Sequence, residues 1–235
     1  MAAITSVKDE ELFDIYDEAM NQLGVAPRSE VHAKGYWHQS FHCWIVSGEG
    51  ADRQVLFQQR NALKDTFPGC YDITAAGHLT AGETVRQAAR ELEEELGLAV
   101  AFEALTPLGS AQYENTGEVH GVPFIDREYC HLFGVRCDQP LTSYRLQASE
   151  VAGLYQASLR EMLELLAGAR ESVDARGIAF PPGERPGQLA PVGNADIADE
   201  GVTAMSACSV RLGRHDFVPH GDAYYERVLT ALAAL

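Results

Sequence analysis

Three glutamates share one side of a helix predicted in the middle of the chain. Glu94 and Glu95 follow Glu91 by three and four residues, a spacing that brings side chains together on a helix surface. Like charges at this spacing cost about 0.2–0.5 kcal/mol per pair, so the cluster indicates either a solvated acidic face or a bound cation. Mg²⁺ takes carboxylate oxygens and keeps positions open for phosphate. The three residues therefore predict a site for metal-dependent phosphoryl chemistry.

The flanking residues predict a loop and then a single helix. Gly77 and Gly82 bracket a short polar stretch, and Gly97 is placed to end the helix as its C-cap. The apolar residues that recur at helical spacing are Val85, Ala88, Ala89, Leu92 and Leu96. This stripe predicts a helix with one buried face and one acidic face.

Residues 77–98 resemble the Nudix box, whose pattern is G-x5-E-x7-R-E-U-x-E-E-x-G-U with U aliphatic. Every fixed position is filled, by Gly77, Glu83, Arg90, Glu91, Leu92, Glu94, Glu95, Gly97 and Leu98. Between Glu83 and Arg90 the chain has only the residues Thr84 to Ala89, which is one fewer than the pattern. A deletion inside a helix would turn the preceding residues by about 100°, so we expect it at the helix start.

This resemblance implies a MutT-like pyrophosphohydrolase that uses Mg²⁺ or Mn²⁺ to hydrolyse a diphosphate bond in a nucleoside diphosphate-linked compound. The implied metal ligands are the Gly77 carbonyl, Glu91, Glu94, Glu95 and, as an additional ligand or base from a later strand, Glu128. Either Glu94 or Glu95 would act as general base. Arg90 would orient the glutamates through a bidentate salt bridge.

Residues 10–165 also resemble isopentenyl-diphosphate isomerase, an enzyme with the Nudix fold. The matching residues are Trp37-His38, Phe67-Pro68-Gly69, Gly77-His78, Asp126, Glu128 and Cys130. In that family the corresponding histidines and carboxylates bind a metal, and a cysteine immediately before the G-H pair is catalytic. Ala76 occupies that position here and cannot relay a proton. The complete box therefore favours the hydrolases of the isomerase-like branch, with an isomerase or a non-catalytic ligand sensor as alternatives.

Candidate substrate contacts are Arg60, His38, His78 and Tyr113. Arg60 precedes the strand that leads to the box and is placed to meet a second phosphate, although a surface charge would explain it equally well. A single histidine is more often structural than a ligand, and Tyr113 can equally be an ordinary strand residue.

The order of elements predicts an α+β protein with the Nudix fold, an α/β/α sandwich with a mixed sheet. Residues 1–170 would form the Nudix domain, and residues 171–235 an irregular loop and a C-terminal helix packed on the same domain. The loop is predicted over 176–201 because glycine and proline recur there. The predicted strands cover 12–16, 40–46, 54–59, 71–76, 105–113 and 128–135, with a short one near Val151, and the later helices cover 159–169 and 223–235.

Charge and cysteine content limit the partners. The net charge of −16 opposes binding to nucleic acid or to an anionic membrane, so we expect a small-molecule diphosphate as the partner. Five cysteines without a CxxC pair predict free thiols in a reducing compartment, the cytoplasm. The first residues contain no long apolar run, so we expect neither a signal peptide nor a membrane span there. The chain is expected to be a monomer or a homodimer.

Overall fold

The computed structural model describes residues 10–119, 121–181 and 204–235. Its strands are β1 (Leu12–Tyr16), β2 (Gln22–Pro27), β3 (Trp37–Ser47), β4 (Gln54–Arg60), β5 (Tyr71–Asp72), β6 (Ala75–His78), β7 (Thr106–Val119), β8 (Val122–Arg136), β9 (Val151–Ser158), β10 (Val173–Ala179) and β11 (Ser206–Leu212). Its helices are α1 (Arg28–Lys34), α2 (Val85–Ala88), α3 (Glu91–Leu96), α4 (Leu159–Leu166) and α5 (Asp222–Leu232). The predicted α+β class is confirmed. No helix in these described ranges is long and apolar enough to cross a membrane.

The described chain forms two compact units. The first lies within residues 1–42, 76–89 and 109–132, and the second within 43–75, 90–108 and 133–235. The chain passes from one unit to the other inside β3, β6, β7 and β8 and between α2 and α3.

The first unit is built on an antiparallel hairpin of β1 and β2. Phe13 and Ile15 alternate along β1 and turn inward, where they pack with Ala26 and Val31. Alternation with period two is what places these side chains on one face of the hairpin. Helix α1 follows directly and ends at Gly35, whose φ of 66° is left-handed. The hairpin and α1 together support the start of β3, where Tyr16 pairs with Trp37.

The second unit contains strands in the order β11-β10-β9-β4, followed by its part of β3. The pairs β10–β11, β9–β10, β3–β4 and β4–β9 are antiparallel; in β4 and β9, for example, Phe57 lies opposite Tyr155. Strand β4 is buried along most of its length and also pairs with β5. This arrangement fixes Gln58 of β4 in the interior, with 4% of its surface exposed.

Helices α4 and α5 pack against each other in the second unit. Met162, Leu165, Val228 and Leu232 are fully buried. Polar contacts also hold the C-terminal segment, because the Trp44 indole donates to the Tyr224 hydroxyl at 3.1 Å. Burial of these aliphatic side chains is the main stabilising term, since each contributes about 1.5–3 kcal/mol when removed from water.

Several elements differ from the sequence prediction. Residues 71–76 were expected as one strand but form the separate strands β5 and β6. Helix α1 was not predicted. The predicted loop over 176–201 overlaps β10 at residues 176–179, and β11 follows at 206–212. The part of the predicted loop at 182–201 lies outside the described residues. The division of the chain at residue 170 stays a prediction.

The predicted central helix is divided. Helix α2 ends at Ala88 and α3 begins at Glu91, with a turn between them. The expectation of a single helix is therefore wrong, and the expectation that the helix start absorbs the missing residue stays a prediction. Thr84 begins α2 with a capping box, in which its own N–H and hydroxyl donate to the Gln87 side chain at 3.0 and 2.7 Å.

Candidate functional site

The acidic helix α3 of the second unit carries the predicted catalytic residues. One guanidinium nitrogen of Arg90, Nη1, donates to Glu91 at 2.6 Å and to Glu94 at 2.8 Å. This one nitrogen is shared between two carboxylates, and the predicted bidentate salt bridge stays a prediction. Gly97 ends the helix at a φ of 65°, as predicted, and a Cβ there would lie 2.8 Å from the Arg145 Cβ.

The glutamates of α3 differ in their surroundings. Glu95 is 6% exposed, and its carboxylate accepts a hydrogen bond from the Gln58 amide at 3.2 Å. The Glu94 side chain is 52% exposed, and the Glu91 side chain only 12%. Gln58 was missed from sequence because nothing in a buried strand indicates which distant side chain its amide meets. The structure thus holds Glu95 in a fixed position and gives Glu94 access to water.

The remaining box residues lie in the first unit. Gly77 is part of β6, and Glu83 accepts hydrogen bonds from the Thr80 N–H and hydroxyl at 2.9 and 3.0 Å. These contacts give Glu83 a role in closing the loop before α2. That Gly77 or Glu128 shares an ion with the α3 glutamates stays a prediction.

A second group of potential ligands meets in the first unit. His32 of α1, His38 of β3, His78 of β6 and Asp126 of β8 place one donor atom each within 4.8 Å of one another. The Nε2 atoms of His32 and His38 each lie 3.6 Å from Asp126 Oδ1. Phe13 stacks on the His38 ring with 5.3 Å between centroids, which fixes the plane of that imidazole. We call these four residues the histidine cluster.

Burial keeps two of these imidazoles neutral. It lowers the pKa of His32 to about 4 and that of His38 to about 3, with the neighbouring His78 as the second cause. The Nε2 atoms of His32 and His38 are buried and make no hydrogen bond to any residue in the described ranges. A neutral imidazole with a buried, unsatisfied nitrogen is the form that binds a transition metal. The histidine cluster therefore fits a divalent ion.

Glu128 extends this group toward a fourth histidine, His42. One carboxylate oxygen lies 3.6 Å from His78 Nε2, and the other lies 3.7 Å from His42 Nε2. Burial by itself would raise the pKa of Glu128, but its contacts with His42 and His78 outweigh that effect and hold the pKa well below its usual range. Cys130 is fully buried beside it, and burial raises the pKa of this thiol well above normal, with the Glu128 charge as second cause.

His42 was missed in the sequence, although a signal for it exists. His38, Ser40 and His42 occupy alternate positions in β3, a strand that is buried over most of its length. Alternate residues of a strand share one face. The pattern therefore indicates a polar stripe inside a buried strand, which calls for partners from elsewhere.

Arg60 and Tyr113, two of the predicted substrate contacts, belong to neither of these groups. The Arg60 guanidinium donates to the Thr66 carbonyl at 2.9 and 3.1 Å and to Asp72 at 3.0 Å, which gives it a structural role in the second unit. Tyr113 lies half-buried on β7 of the first unit. A substrate role for Arg60, Tyr113, His38 and His78 stays a prediction.

Comparison with known proteins identifies close sequence relatives. The model of the family described as NUDIX domain matches residues 37–174. An uncharacterized Nudix hydrolase of Clostridium acetobutylicum is 37% identical over 224 residues, which cover 95% of this chain and 98% of that protein. An isopentenyl-diphosphate Delta-isomerase of Nocardia farcinica is 34% identical over 121 residues, covering 51% of this chain and 65% of the isomerase.

A solved structure agrees with the fold. The crystal structure of DR0079 from Deinococcus radiodurans covers 68% of this chain and 91% of its own, with a TM-score of 0.50 and 19% identity. This likeness concerns the fold alone. With the family match, it confirms the predicted Nudix fold.

Proposed function

The chain belongs to the Nudix family, and from this premise we propose that it hydrolyses a diphosphate bond in a compound that carries a nucleoside diphosphate linked to another group. The observation that supports this most strongly is the arrangement on α3, where Arg90 pairs with Glu91 and Glu94 while Gln58 fixes Glu95. A solvated acidic face would not need its carboxylates held by an arginine and by a buried amide.

We propose that Glu91, Glu94 and Glu95 hold Mg²⁺ or Mn²⁺. Arg90 Nη1 lies 2.6 Å from a Glu91 oxygen and 2.8 Å from a Glu94 oxygen, which brings these two carboxylates together, and a divalent cation would neutralise their charge where a phosphate binds. Carboxylate oxygens are the hard ligands that these ions prefer. A bound ion would polarise the phosphate oxygens and lower the pKa of the attacking water.

Of the two candidate bases, the surroundings favour Glu94. Its side chain is 52% exposed, so a water molecule can approach it, and Arg90 limits its orientations. Glu95 is buried and already accepts a hydrogen bond from Gln58. We therefore assign proton removal from water to Glu94, and a ligand role to Glu95 whose geometry depends on Gln58.

The test is phosphorus NMR of the protein with Mg²⁺ and a panel of nucleotide sugars, nucleoside diphosphates and dinucleoside polyphosphates. New monophosphate signals would identify the substrate class. Glu94→Gln should then lower kcat about 10²–10⁴-fold, as loss of a general base does, with circular dichroism unchanged. Glu93→Gln is the matched control, because Glu93 is exposed on the same helix and lies outside the box pattern. Equal activity of the Glu94→Gln and Glu93→Gln variants would overturn the assignment of Glu94 as the general base. If no compound of the panel gave new monophosphate signals, the proposed hydrolase activity would be overturned.

A second candidate function is isomerisation of isopentenyl diphosphate. The histidine cluster favours it, because His38, His78 and Asp126 come together as the resemblance to that isomerase implies. Ala76 opposes it, since a methyl group cannot transfer a proton. Incubation with isopentenyl diphosphate and Mn²⁺ tests this directly, and we expect no allylic isomer. Conversion by the wild-type protein would make the isomerase the better description.

Setting and partners form part of the same proposal. All five cysteines are free, as expected for a protein that works in a reducing cytoplasm. A small-molecule diphosphate is the proposed partner, bound by a monomer or a homodimer. Binding of a nucleotide without turnover would instead favour the ligand sensor.

A further inference from the structure

We propose that His42, Glu128 and Cys130 form a second metal site in the first unit, selective for Zn²⁺ and adjacent to the histidine cluster. The three side chains offer one nitrogen, one oxygen and one sulfur, and these atoms lie within 4.8 Å of one another. His42 comes from β3, and the other two residues lie two apart on β8. Their spacing on β8 places Glu128 and Cys130 on the same face of the strand.

The distances fit ligands around a tetrahedral ion. With Zn–N and Zn–O of about 2.1 Å and Zn–S of about 2.3 Å, neighbouring ligand atoms lie roughly 3.4 Å (N to O) and 3.6 Å (S to O) apart. The observed separations are 3.7 Å from His42 Nε2 to Glu128 Oε2 and 3.9 Å from Cys130 Sγ to the same oxygen. A charge-assisted hydrogen bond would bring nitrogen and oxygen to about 2.8 Å. To bind an ion, these two separations would each have to shorten by only about 0.3 Å.

The surroundings are those of a buried metal site. Side-chain exposure is 5% for His42 and 12% for Glu128, and Cys130 is fully buried. Buried charges are normally paired or coordinate a metal, and Glu128 is flanked by His42 and His78 as well as by the Cys130 thiol. The Ser40 hydroxyl lies 3.4 Å from the same His42 Nε2 atom, so zinc would take the place of this contact.

The donor set determines which ion the site takes. A thiolate with an imidazole selects a borderline-soft ion such as Zn²⁺, whereas Mg²⁺ demands oxygen ligands. Three protein ligands leave a fourth tetrahedral position for water or substrate, as in catalytic zinc sites. Glu128 also faces His78 through its other oxygen, at 3.6 Å. One carboxylate can thus join this site to the histidine cluster, as carboxylates do in two-metal centres.

Zinc X-ray absorption of the full chain, loaded with about one equivalent of Zn²⁺ after chelator treatment, tests the proposal. We expect a sulfur scatterer at about 2.3 Å from zinc. The histidine cluster contains no sulfur, so this signal separates the two sites. Cys130→Ala should remove the sulfur signal. Cys43→Ala is the matched control, because Cys43 is also fully buried but lies outside the site, and it should keep the signal.

The zinc spectrum of the wild-type protein tests the proposed site even if the Cys130→Ala variant does not fold. Zinc bound with only nitrogen and oxygen neighbours in the wild-type protein would overturn the proposal, and so would loss of the sulfur signal in Cys43→Ala but not in Cys130→Ala. His42→Asn provides a second check, because it keeps the thiol and removes one imidazole. Compared with the wild type, the variant should show one fewer imidazole around zinc and about tenfold weaker zinc binding or more. None of these outcomes depends on hydrolase activity.

Discussion

Replacement of Asp72 by asparagine should destabilise the second unit in a way that depends on pH. Asp72 is 4% exposed, and its two oxygens lie 2.7 Å from His220 Nε2 and 3.0 Å from Arg60 Nη1. Burial by itself would raise the pKa of this carboxyl, but the charge and hydrogen bond of His220, followed by the Arg60 charge, lower it to about 2. The contact with His220 also fastens the segment that leads into α5.

The pKa shift sets the size of the effect. A fall in the Asp72 pKa from about 3.9 in the unfolded chain to about 2 in the folded protein corresponds to roughly 2.5 kcal/mol of stability. Because the pKa is lower in the folded state, this stability is present above pH 4 and disappears as the pH falls toward 2. About half of it should be lost by pH 3. Asparagine also leaves the Arg60 charge with less compensation, so we expect a total loss of about 2–4 kcal/mol at pH 7.

Urea unfolding at pH 7 and at pH 3 measures both quantities. Asp72→Asn should be less stable than wild type at pH 7, and this difference should shrink at pH 3. Asp174→Asn is the control, because Asp174 pairs with Arg211 on the surface, with both side chains more than 70% exposed, and it should change little. Equal stability of Asp72→Asn and wild type at pH 7 would refute this role of Asp72. A stability difference as large at pH 3 as at pH 7 would refute it as well.

Three further substitutions test the packing. Gly35→Ala should destabilise the first unit by about 1–2 kcal/mol in chemical unfolding, because a Cβ at a φ of 66° would lie 2.7 Å from Ile125 Cγ2; an unchanged midpoint would contradict this backbone geometry. Leu229→Ala should cost about 2–5 kcal/mol and lower Tm by several degrees, since Leu229 is fully buried, and a loss below 1 kcal/mol would show that α5 packs loosely. Trp44→Phe should cost about 1 kcal/mol by removing the hydrogen bond to Tyr224, and pairing it with Tyr224→Phe in a double-mutant cycle would reveal whether the two groups are coupled.

Local patterns were enough to predict most elements of the fold. Strands β1, β3 and β4 and helices α4 and α5 were placed from apolar periodicity, which a short window contains. Strand β10 was missed because Gly177 was counted as a breaker. In the structure this glycine is needed inside a strand, since a Cβ there would lie 2.4 Å from the Tyr155 ring on β9. A neighbouring strand imposes that requirement, and the local sequence does not show it.

The candidate site was predictable to different depths. The glutamates of α3 follow from spacing within a single helix, and their pairing with Arg90 from the same few residues. The interruption before Glu91 was not predicted, because the apolar stripe continues at helical spacing from Val85 to Leu96. Sequence could not predict that His42 meets Glu128, because these residues are far apart in the chain and only the pairing of β3 with β8 joins them.

The potential metal ligands of the two units differ, so we expect the units to prefer different ions. The second unit offers carboxylates on α3, and such oxygen sites bind Mg²⁺ when it is abundant. The first unit offers imidazoles and a thiol, for which Zn²⁺ competes far better than Mg²⁺. Excess Mg²⁺ should therefore restore activity after mild chelation without filling the first unit. If hydrolysis returned only with Zn²⁺, the catalytic role would move from Glu94 to the histidine-rich unit, and the isomerase-like residues would carry the chemistry.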